Sequence, residues 1–539
     1  MESMSKRSDQ HTALESAQAM VRAVKELFAE GQTDYYLDPI VLTSEHGEPV
    51  GRVKDGDAVI FCCRRGEREI QLTEAFTDPK LDHFPRADFS NLPFVILTLY
   101  HDKFKDLPVA FAPARVQETL GELVSRGGLS QARVAESEKF AHVTFFLNGG
   151  NGKSYTGEED IRVPSLKEVP FDEHPELSLA EVSQQVIGQV QRGTDLIITN
   201  FANGDVIGHT SNHNAKIKCA EYIDQHLKEV VEAAQAAGYV ILITADHGNI
   251  EESLTPEGNP HVSHTTNPIP LFIIDPLIET TIQPANGVLA DIAPTVLQIL
   301  GIDRSPLMTG KSLAPDQAFG VQRKVLLVIL DGWGLSPRPE QDPITLGHTP
   351  FWDTLMTQYP HGLLTASGEA VGLKAGKAGN SEAGHINIGA GRIILQDDVR
   401  LDQAMKDGSF YTNEVISREI RGVKERGTAL HLIGLLTEKS SHGSMDYPLA
   451  VLKMAHDAGL EQVYLHMIFD GRSTEPGSAP SLLEKLGDLM DKIGGGQIAT
   501  GIGRGIALDR DGNYNKTQRA YEDREERRVG KECRSRWSQ

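Results

Sequence analysis

The sequence has few cysteines. Only four occur in 539 residues: Cys62 and Cys63 are adjacent, while Cys219 and Cys533 stand alone. Disulfide-stapled domains and structural zinc sites carry more cysteines at short, regular spacings. We therefore expect reduced thiols, as in a cytoplasmic protein.

Basic residues are scarce relative to acidic ones. Lys and Arg number 53 against 75 Asp and Glu, which gives a formal net charge of −22. A field of this sign repels nucleic acid and anionic lipid, so neither is expected as a partner. An anionic small molecule would need a local cluster of Arg and Lys to bind.

Long hydrophobic runs are missing as well. The longest, such as Val325–Leu330 and Tyr239–Thr244, are far shorter than a membrane span. The N-terminal segment MESMSKRSDQHT lacks the apolar stretch of a signal peptide. These features also predict a cytoplasmic protein that does not bind membranes.

Short apolar runs alternate with amphipathic stretches along the chain. The runs are DAVIF, PFVILTLY, DLIITNF, YVILITADHG, KVLLVILDGWG, TALHLIGLL, QVYLHMIFDG and QIATGIG. Such runs indicate strands buried on both faces, and helical patterns such as Ala215–Gly238 and Pro480–Lys492 lie between them. The pattern predicts an α/β fold with mostly parallel sheets, in which ligands bind beyond the carboxyl ends of the strands.

Two stretches are typical of linkers, and the C-terminal tail differs from the rest. Phe111–Arg115 and Ser312–Gln322 contain proline and separate regular patterns. Glu522–Gln539 is basic without apolar periodicity, as in a disordered arm. Because Glu525–Ser538 resembles a translated sequencing adapter, we interpret the tail as non-native and assign it no function.

Asp and His residues follow several of the predicted strands. Each alone has an ordinary explanation, because Asp often caps helices and most His are structural. Together they offer enough donors for two ions, and a mixed Asp and His set suits Mn²⁺ or Zn²⁺ better than Mg²⁺. The candidates are Asp205, His209, Asp246, His247, His261, His264 and Asp331.

Ser381, in KAGNSEAGHINIGAGR, is the candidate nucleophile. A helix could begin at this residue, and a hydroxyl at a helix N-terminus beside a cation is suited to attack and hold a phosphate. The alternative is an ordinary N-cap serine. Neither a P-loop nor a dinucleotide-binding pattern is present.

A second set of candidates is basic. Guanidinium groups bind carboxylate and phosphate in a bidentate manner, although most Arg are simply solvated. The set comprises Arg65, Arg68, Lys139, His442, Arg472, Arg504 and Arg510.

The motifs together resemble one family. DGWG, GNSEAGH with NIGAGR, DGR, GR followed by DRD, EKFAHVTFF, TADHGN and HTTNP are similar to those of the cofactor-independent phosphoglycerate mutases, in the alkaline-phosphatase-like superfamily. The resemblance covers roughly Ser8–Glu522. It implies a parallel-sheet phosphatase domain and a second α/β transferase domain. It also implies a monomer that interconverts 3- and 2-phosphoglycerate without bisphosphoglycerate.

The resemblance also implies roles for the candidates. Two divalent ions are expected, with Mn²⁺ favoured and Mg²⁺, Co²⁺ or Zn²⁺ as other candidates. One ion would be bound by Asp205, His209 and His264, and the other by Asp246, His247, Asp331 and Ser381. Ser381 would form a phosphoserine, and Lys139 would neutralise the leaving oxygen. The residues that would bind substrate are Arg65, Arg68, Lys139, His442, Arg472, Ser473, Arg504 and Arg510.

The order of the motifs differs from that of the family. Family members begin with DGWG, whereas here Asp331 follows TADHGN and HTTNP. The chain therefore resembles a circular permutant. The expected domains are a transferase domain split between 8–112 and 399–522, a continuous phosphatase domain at 116–395 with a linker near 312–322, and the tail at 523–539.

Some positions depart from the family pattern. Ser473 stands where the family has the carboxylate assigned as general base, and serine is a poor base at neutral pH. Asp470 and Glu475 are neighbouring carboxylates that could replace it. Two alternatives therefore remain beside the mutase: a metal-dependent phosphatase or other phosphomutase of the superfamily, and an inactive product of a misassembled gene.

Overall fold

The computed structural model describes residues 12–525, except 45, 65, 114–115, 168, 256, 279–280, 316–318, 320–321, 439 and 441. The described residues form two compact units. The terminal unit comprises those up to Pro113 and from Arg400 onward, and the central unit comprises those from 114 to 399. Arg65 and most of the proposed non-native tail lie outside the described residues.

The strands alternate with helices along the chain. They are β1 Ile40–Val41, β2 Ala58–Phe61, β3 Phe94–Thr98, β4 Val109–Phe111, β5 Gln131–Glu136, β6 Glu158–Val163, β7 Leu196–Phe201, β8 Val240–Ala245, β9 Ile269–Ile274, β10 Gly287–Val288, β11 Val325–Leu330, β12 His361–Thr365, β13 Leu430–Leu436, β14 Val463–Phe469 and β15 Gln497–Gly503.

The helices are α1 Ala13–Ala29, α2 Ile70–Thr77, α3 Leu120–Arg126, α4 Leu179–Arg192, α5 Asn203–Gly208, α6 His213–Ala236, α7 Ile292–Leu300, α8 Pro343–Leu346, α9 Pro350–Gln358, α10 Ser381–Ala390, α11 Asp397–Asp407, α12 Glu414–Arg426, α13 Asp446–Asp457, α14 Ala479–Ile493, α15 Arg504–Ala507 and α16 Tyr514–Glu525. Within the described residues, none of these helices has both the length and the hydrophobicity needed to cross a membrane.

The central unit is built on an eight-stranded sheet in the order β10-β12-β9-β8-β11-β7-β5-β6. All neighbours are parallel except β9, which runs antiparallel to β8 and β12. Every residue of β7, β8 and β11 is buried, so these strands are covered on both faces, as their continuous apolar runs predict. The α/β fold is confirmed.

The terminal unit has a seven-stranded sheet in the order β1-β15-β14-β13-β2-β3-β4. Its pairs are parallel except β1 with β15. Strands β13 and β15 are buried along their whole length. A second α/β sheet of mainly parallel strands therefore forms from the two ends of the chain.

Candidate metal centre

The register of the central sheet brings the predicted metal ligands together. Leu330 at the end of β11 pairs with Phe201 of β7 and with Ala245 of β8. The three strands therefore end at the same level. Asp331 follows β11 directly, Asp246 follows β8 directly, and Asp205 lies in the first turn of α5 after β7. Three carboxylates consequently meet at one edge of the sheet.

The first group of donors surrounds Asp205. His209 is the C-cap of α5, four residues later, so both side chains project from one helix face. Asp205 Oδ1 lies 3.3 Å from His209 Nε2 and 3.0 Å from His264 Nε2, and the two Nε2 atoms are 3.0 Å apart. The Nδ1 atoms of these imidazoles lie 2.9 Å and 2.7 Å from the backbone oxygens of Val262 and Gly379. Donation from Nδ1 to a carbonyl leaves the Nε2 lone pair free for a cation.

The second group of donors comprises Asp246, His247 and Asp331. His247 Nε2 lies 3.7 Å from Asp246 Oδ2 and 3.5 Å from Asp331 Oδ1. It is also 3.9 Å from Asp205 Oδ1, and its donor atoms can join either of two clusters, with Asp205 and His264 or with Asp246 and Asp331. His247 therefore lies between the two groups.

These donors fit divalent cations. Asp246 and His247 are completely buried, and Asp246 Oδ2 has no hydrogen-bond partner among the described residues. A buried carboxylate oxygen is costly unless a donor or a cation compensates it. The mixed set of oxygen and imidazole nitrogen donors is compatible with several divalent metals.

Lys139 neutralises part of this negative charge. It lies just beyond β5, and its Nζ is 2.6 Å from Asp205 Oδ2 and 2.9 Å from Asp331 Oδ1. Burial alone would lower the pKa of Lys139, but Asp331 and Asp205 outweigh that effect and raise it. The lysine is therefore a fixed cation beside the metal donors.

The carboxylates are tuned by burial and by these neighbours. Burial and the charge of Asp331 raise the pKa of Asp246 to about 6. Burial also disfavours ionised Asp331, but Lys139 and His247 reverse this and lower its pKa. Burial would lower the pKa of His247, yet Asp246 and Asp331 raise it to about 10. Metal binding would displace the proton on such an imidazole, because only the neutral ring is a ligand.

Ser381 is the first residue of α10 and faces these groups. Its Oγ lies 2.7 Å from Lys139 Nζ, 3.1 Å from His247 Nε2 and 3.1 Å from Asp331 Oδ1. The N-cap is Asn380, whose side chain accepts from Ala383 N at 2.9 Å. The N-cap explanation for Ser381 is therefore wrong, and its hydroxyl points into the donor cluster.

Glycine is required where α10 approaches the strand ends. A Cβ at Gly384 would lie 2.8 Å from Asp246 Cβ and 2.9 Å from Asp246 O, and a Cβ at Gly379 would lie 2.0 Å from Ala366 O. The glycines of GNSEAGH therefore allow the serine to reach the carboxylates.

Several residues at this centre were not predicted. Asn200 Nδ2 donates to Asp331 Oδ2 at 2.7 Å and lies 3.1 Å from His385 Nε2. His385 Nδ1 lies 2.8 Å from Ser381 O, and burial lowers the pKa of His385 to about 4. Their positions in the sequence could have indicated them, because Asn200 is in a strand-end run and His385 is one helical turn after Ser381.

The predicted candidate His261 belongs to neither donor cluster.

The terminal unit brings together only part of the predicted basic set. Arg504 is buried and paired with Asp470, while His442 Nδ1 lies 2.9 Å from Glu69 Oε1. Arg68 Nη1 donates to Leu508 O at 3.1 Å. Burial raises the pKa of the Glu69 carboxyl, although Arg504, Arg68 and Arg64 oppose this. Sequence analysis missed Glu69 and Arg64, which adjoin the predicted arginines in CCRRGER.

The other described arginines of the predicted basic set, Arg472 and Arg510, are exposed. Arg472, Ser473 and Arg510 lie on the surface of this unit, and Ser473 Oγ is 3.3 Å from Ser440 Oγ. Asp470 is tied to Arg504, and Glu475 is exposed. Within the described residues, neither of these carboxylates is hydrogen-bonded to Ser473.

Comparison with known proteins agrees with this arrangement. A family model described as the metalloenzyme superfamily matches residues 6–304, more than half of the chain. The chain therefore belongs to the metalloenzyme superfamily. A second model, described as the BPG-independent PGAM N-terminus, matches residues 401–535. Asp331 and Ser381 lie between the matched ranges, so their assignment rests on the geometry.

Curated relatives carry the corresponding name. The chain is 43% identical over 305 residues to 2,3-bisphosphoglycerate-independent phosphoglycerate mutase of Syntrophotalea carbinolica, covering 56% of this chain and 58% of that protein. It is 42% identical over 293 residues to mutase 2 of Methanosarcina acetivorans, covering 54% and 56%. The chain thus spans little more than half the length of the curated relatives it matches. A crystal structure of Leishmania mexicana phosphoglycerate mutase at low cobalt concentration aligns with a TM-score of 0.41 and 28% identity, over 51% of this chain and 53% of that one.

Proposed function

We propose that this chain interconverts 3-phosphoglycerate and 2-phosphoglycerate through a phosphoserine at Ser381, without bisphosphoglycerate. The observation that carries the proposal is the position of Ser381 Oγ, within 3.1 Å of Lys139 Nζ, His247 Nε2 and Asp331 Oδ1. The names of the relatives support the same reaction. We also propose that the protein is a monomer and that it is located in the cytoplasm.

Ser381 begins the reaction as the nucleophile. Its Oγ forms a bond to phosphorus in line with the bond from phosphorus to the glycerate oxygen, which breaks. Lys139 stabilises the charge on the leaving oxygen, which takes up the serine proton. The other glycerate hydroxyl then attacks the phosphoserine, so phosphate returns to the neighbouring carbon and the proton to Ser381.

The metal centre supports this exchange. Two divalent ions, which we propose to be Mn²⁺, supply Lewis-acid stabilisation of the attacking and leaving oxygens when bound. Asp205, His209 and His264 would hold one ion, and Asp246, His247, Asp331 and Ser381 the other.

The terminal unit supplies groups that bind the anionic substrate. We assign the transferase role to 8–112 with 399–522, and the phosphatase role to 116–395. Guanidinium groups recognise phosphate and carboxylate, and they oppose the net charge of −22. The proposed substrate-binding residues are Arg65, which lies outside the described residues, and Arg68, Lys139, His442, Arg472, Ser473, Arg504 and Arg510.

The experiment is an assay of the full chain by ³¹P NMR with 3-phosphoglycerate and Mn²⁺, in the absence of bisphosphoglycerate. We expect 2-phosphoglycerate to accumulate and the conversion to stop when EDTA is added. Release of inorganic phosphate without 2-phosphoglycerate would instead identify a phosphatase. A folded, Mn²⁺-binding chain that converts nothing would support the inactive alternative.

We further propose that the order of the domains is circularly permuted. The model described as an N-terminus matches residues 401–535, after the match at 6–304. A variant that starts at Lys324 and joins the present ends tests this directly. We expect it to keep the fold and the Mn²⁺-dependent activity, whereas an unfolded product would contradict the proposal.

A further inference from the structure

Glu251 is a completely buried carboxylate near the metal donors. Its Oε2 accepts from Asn249 N at 2.7 Å and from Gly334 N at 3.1 Å. Its Oε1 accepts from Asn267 Nδ2 at 3.0 Å and from the hydroxyl of Thr265. All four partners are neutral donors, so both oxygens are satisfied by hydrogen bonds from fixed positions.

These four donors belong to three of the segments that carry candidate metal ligands. Asn249 follows Asp246 and His247, Thr265 follows His264 directly, and Gly334 comes three residues after Asp331. Backbone hydrogen bonds join the same segments in pairs: Ile250 N donates to Gly332 O and Thr265 N to Gly248 O, both at 3.0 Å. The Glu251 side chain joins all three of these segments.

The surrounding glycines leave space for this carboxylate. A Cβ at Gly248 would lie 2.4 Å from Glu251 Oε1, and a Cβ at Gly334 would also lie 2.4 Å from that oxygen. Side chains at these positions would push the carboxylate away from its donors. The glycines of ADHG and DGWG therefore serve the approach of Glu251.

We propose that Glu251 is a positioning residue for the metal centre, holding the segments of His247, His264 and Asp331 at the spacing that binds the two divalent cations. Removing one acceptor would leave buried N–H or O–H groups unpaired and loosen the segments. Groups that orient metal ligands without touching the metal typically change affinity by about 10- to 100-fold. The inference rests on the proposed metal centre and not on the identity of the reaction.

The test compares Glu251→Gln with Glu252→Gln in the full chain. Glu252 is the matched control, because it also accepts from Asn267 Nδ2, at 3.1 Å, but its other oxygen pairs with the partly exposed Arg338. Mn²⁺ binding is measured by calorimetry, and Co²⁺ binding by its visible absorption. We expect Glu251→Gln to weaken Mn²⁺ binding by about 10- to 100-fold and to alter the Co²⁺ spectrum. Glu252→Gln should change neither by more than about twofold.

Thr265→Val provides a second measurement if Glu251→Gln fails to fold, because it removes one donor and keeps the carboxylate. It should weaken Mn²⁺ binding by less than Glu251→Gln, in the same direction. If a folded Glu251→Gln keeps the wild-type Mn²⁺ affinity and Co²⁺ spectrum, the inference about Glu251 is overturned while the proposed metal centre stands. The same result in Thr265→Val has this meaning if Glu251→Gln does not fold. If the wild-type chain binds neither ion, both the metal centre and this inference fail.

Discussion

The two units use charged side chains in different ways. In the central unit, Asp246, His247 and Asp331 are at most 1% exposed, and Lys139 is tied to two carboxylates and a serine. In the terminal unit, Arg504 is buried against Asp470, but Arg472 and Arg510 are exposed. One set is fixed before any ligand arrives, and the other is fixed only in part.

This difference follows from what each kind of ligand needs. A metal ion needs several donors within about 2–2.5 Å of one point, so their positions must be set by packing and by outer hydrogen bonds. A phosphate or carboxylate can be met by long, flexible guanidinium groups that order when it binds. Mutations in the central unit should therefore act through chemistry and metal affinity, and those in the terminal unit through stability or substrate affinity.

The largest expected effect is that of Ser381→Ala. Loss of the nucleophile should lower kcat by more than about 10³-fold, because no phosphoserine can form. Ser154→Ala, at an exposed serine of the same unit, is the control and should leave kcat unchanged. The readouts are the isomerisation rate and labelling of the protein by phosphate. Labelling that persists in Ser381→Ala would count against this residue.

Two metal-site variants should differ in magnitude. Asp246 is fully buried, whereas the side chain of His209 is 48% exposed. Asp246→Asn should weaken Mn²⁺ binding by more than about 100-fold, which is the upper limit expected for residues that only orient metal ligands. His209→Ala should weaken Mn²⁺ binding by less than Asp246→Asn does. Calorimetric titration of the full chain checks the order. The reverse order would show that burial does not rank these donors.

Arg504→Met and Arg472→Met test the terminal unit. The first leaves Asp470 buried without its partner, which should lower the free energy of unfolding by about 3–5 kcal/mol. The second alters an exposed residue and should change it by less than about 0.5 kcal/mol, while raising KM. Urea unfolding measures the free energy of unfolding of both variants, and steady-state kinetics measures KM. Equal stabilities would remove the contrast within this unit.

The smallest expected effect concerns Glu69 and pH. Burial raises the pKa of this carboxyl in the folded protein, so it contributes stability that is fully present below the ordinary glutamate pKa of 4.5 and is lost as pH rises through the folded pKa. Glu69→Gln lacks this loss. Its Tm relative to wild type should therefore increase with pH, by about 2–4 °C.

Thermal unfolding at several pH values in EDTA measures this change, with the exposed Glu414→Gln as control. A constant difference in Tm across pH would contradict the assigned cause.

Sequence analysis predicted the α/β fold and the residues that gather at the metal centre, because strand-end motifs and sheet register together determine where they lie. Asp205, Asp246 and Asp331 all follow buried runs, and parallel pairing alone brings them together. Sequence analysis did not predict Asn200, Glu251 and His385, because their roles depend on hydrogen bonds between segments that are distant in the chain. The same applies to Glu69, whose contact with His442 joins residues 373 positions apart.

The placement of β11 bears on the order in which the chain can fold. This strand separates β7 from β8 in the sheet, although it follows both in the sequence. During synthesis from the N-terminus, the edges of β7 and β8 that pair with β11 stay without this partner until Leu330 has been synthesised. Non-local pairing of this kind is slow and leaves strand edges exposed, so the nascent chain needs protection from aggregation during this interval.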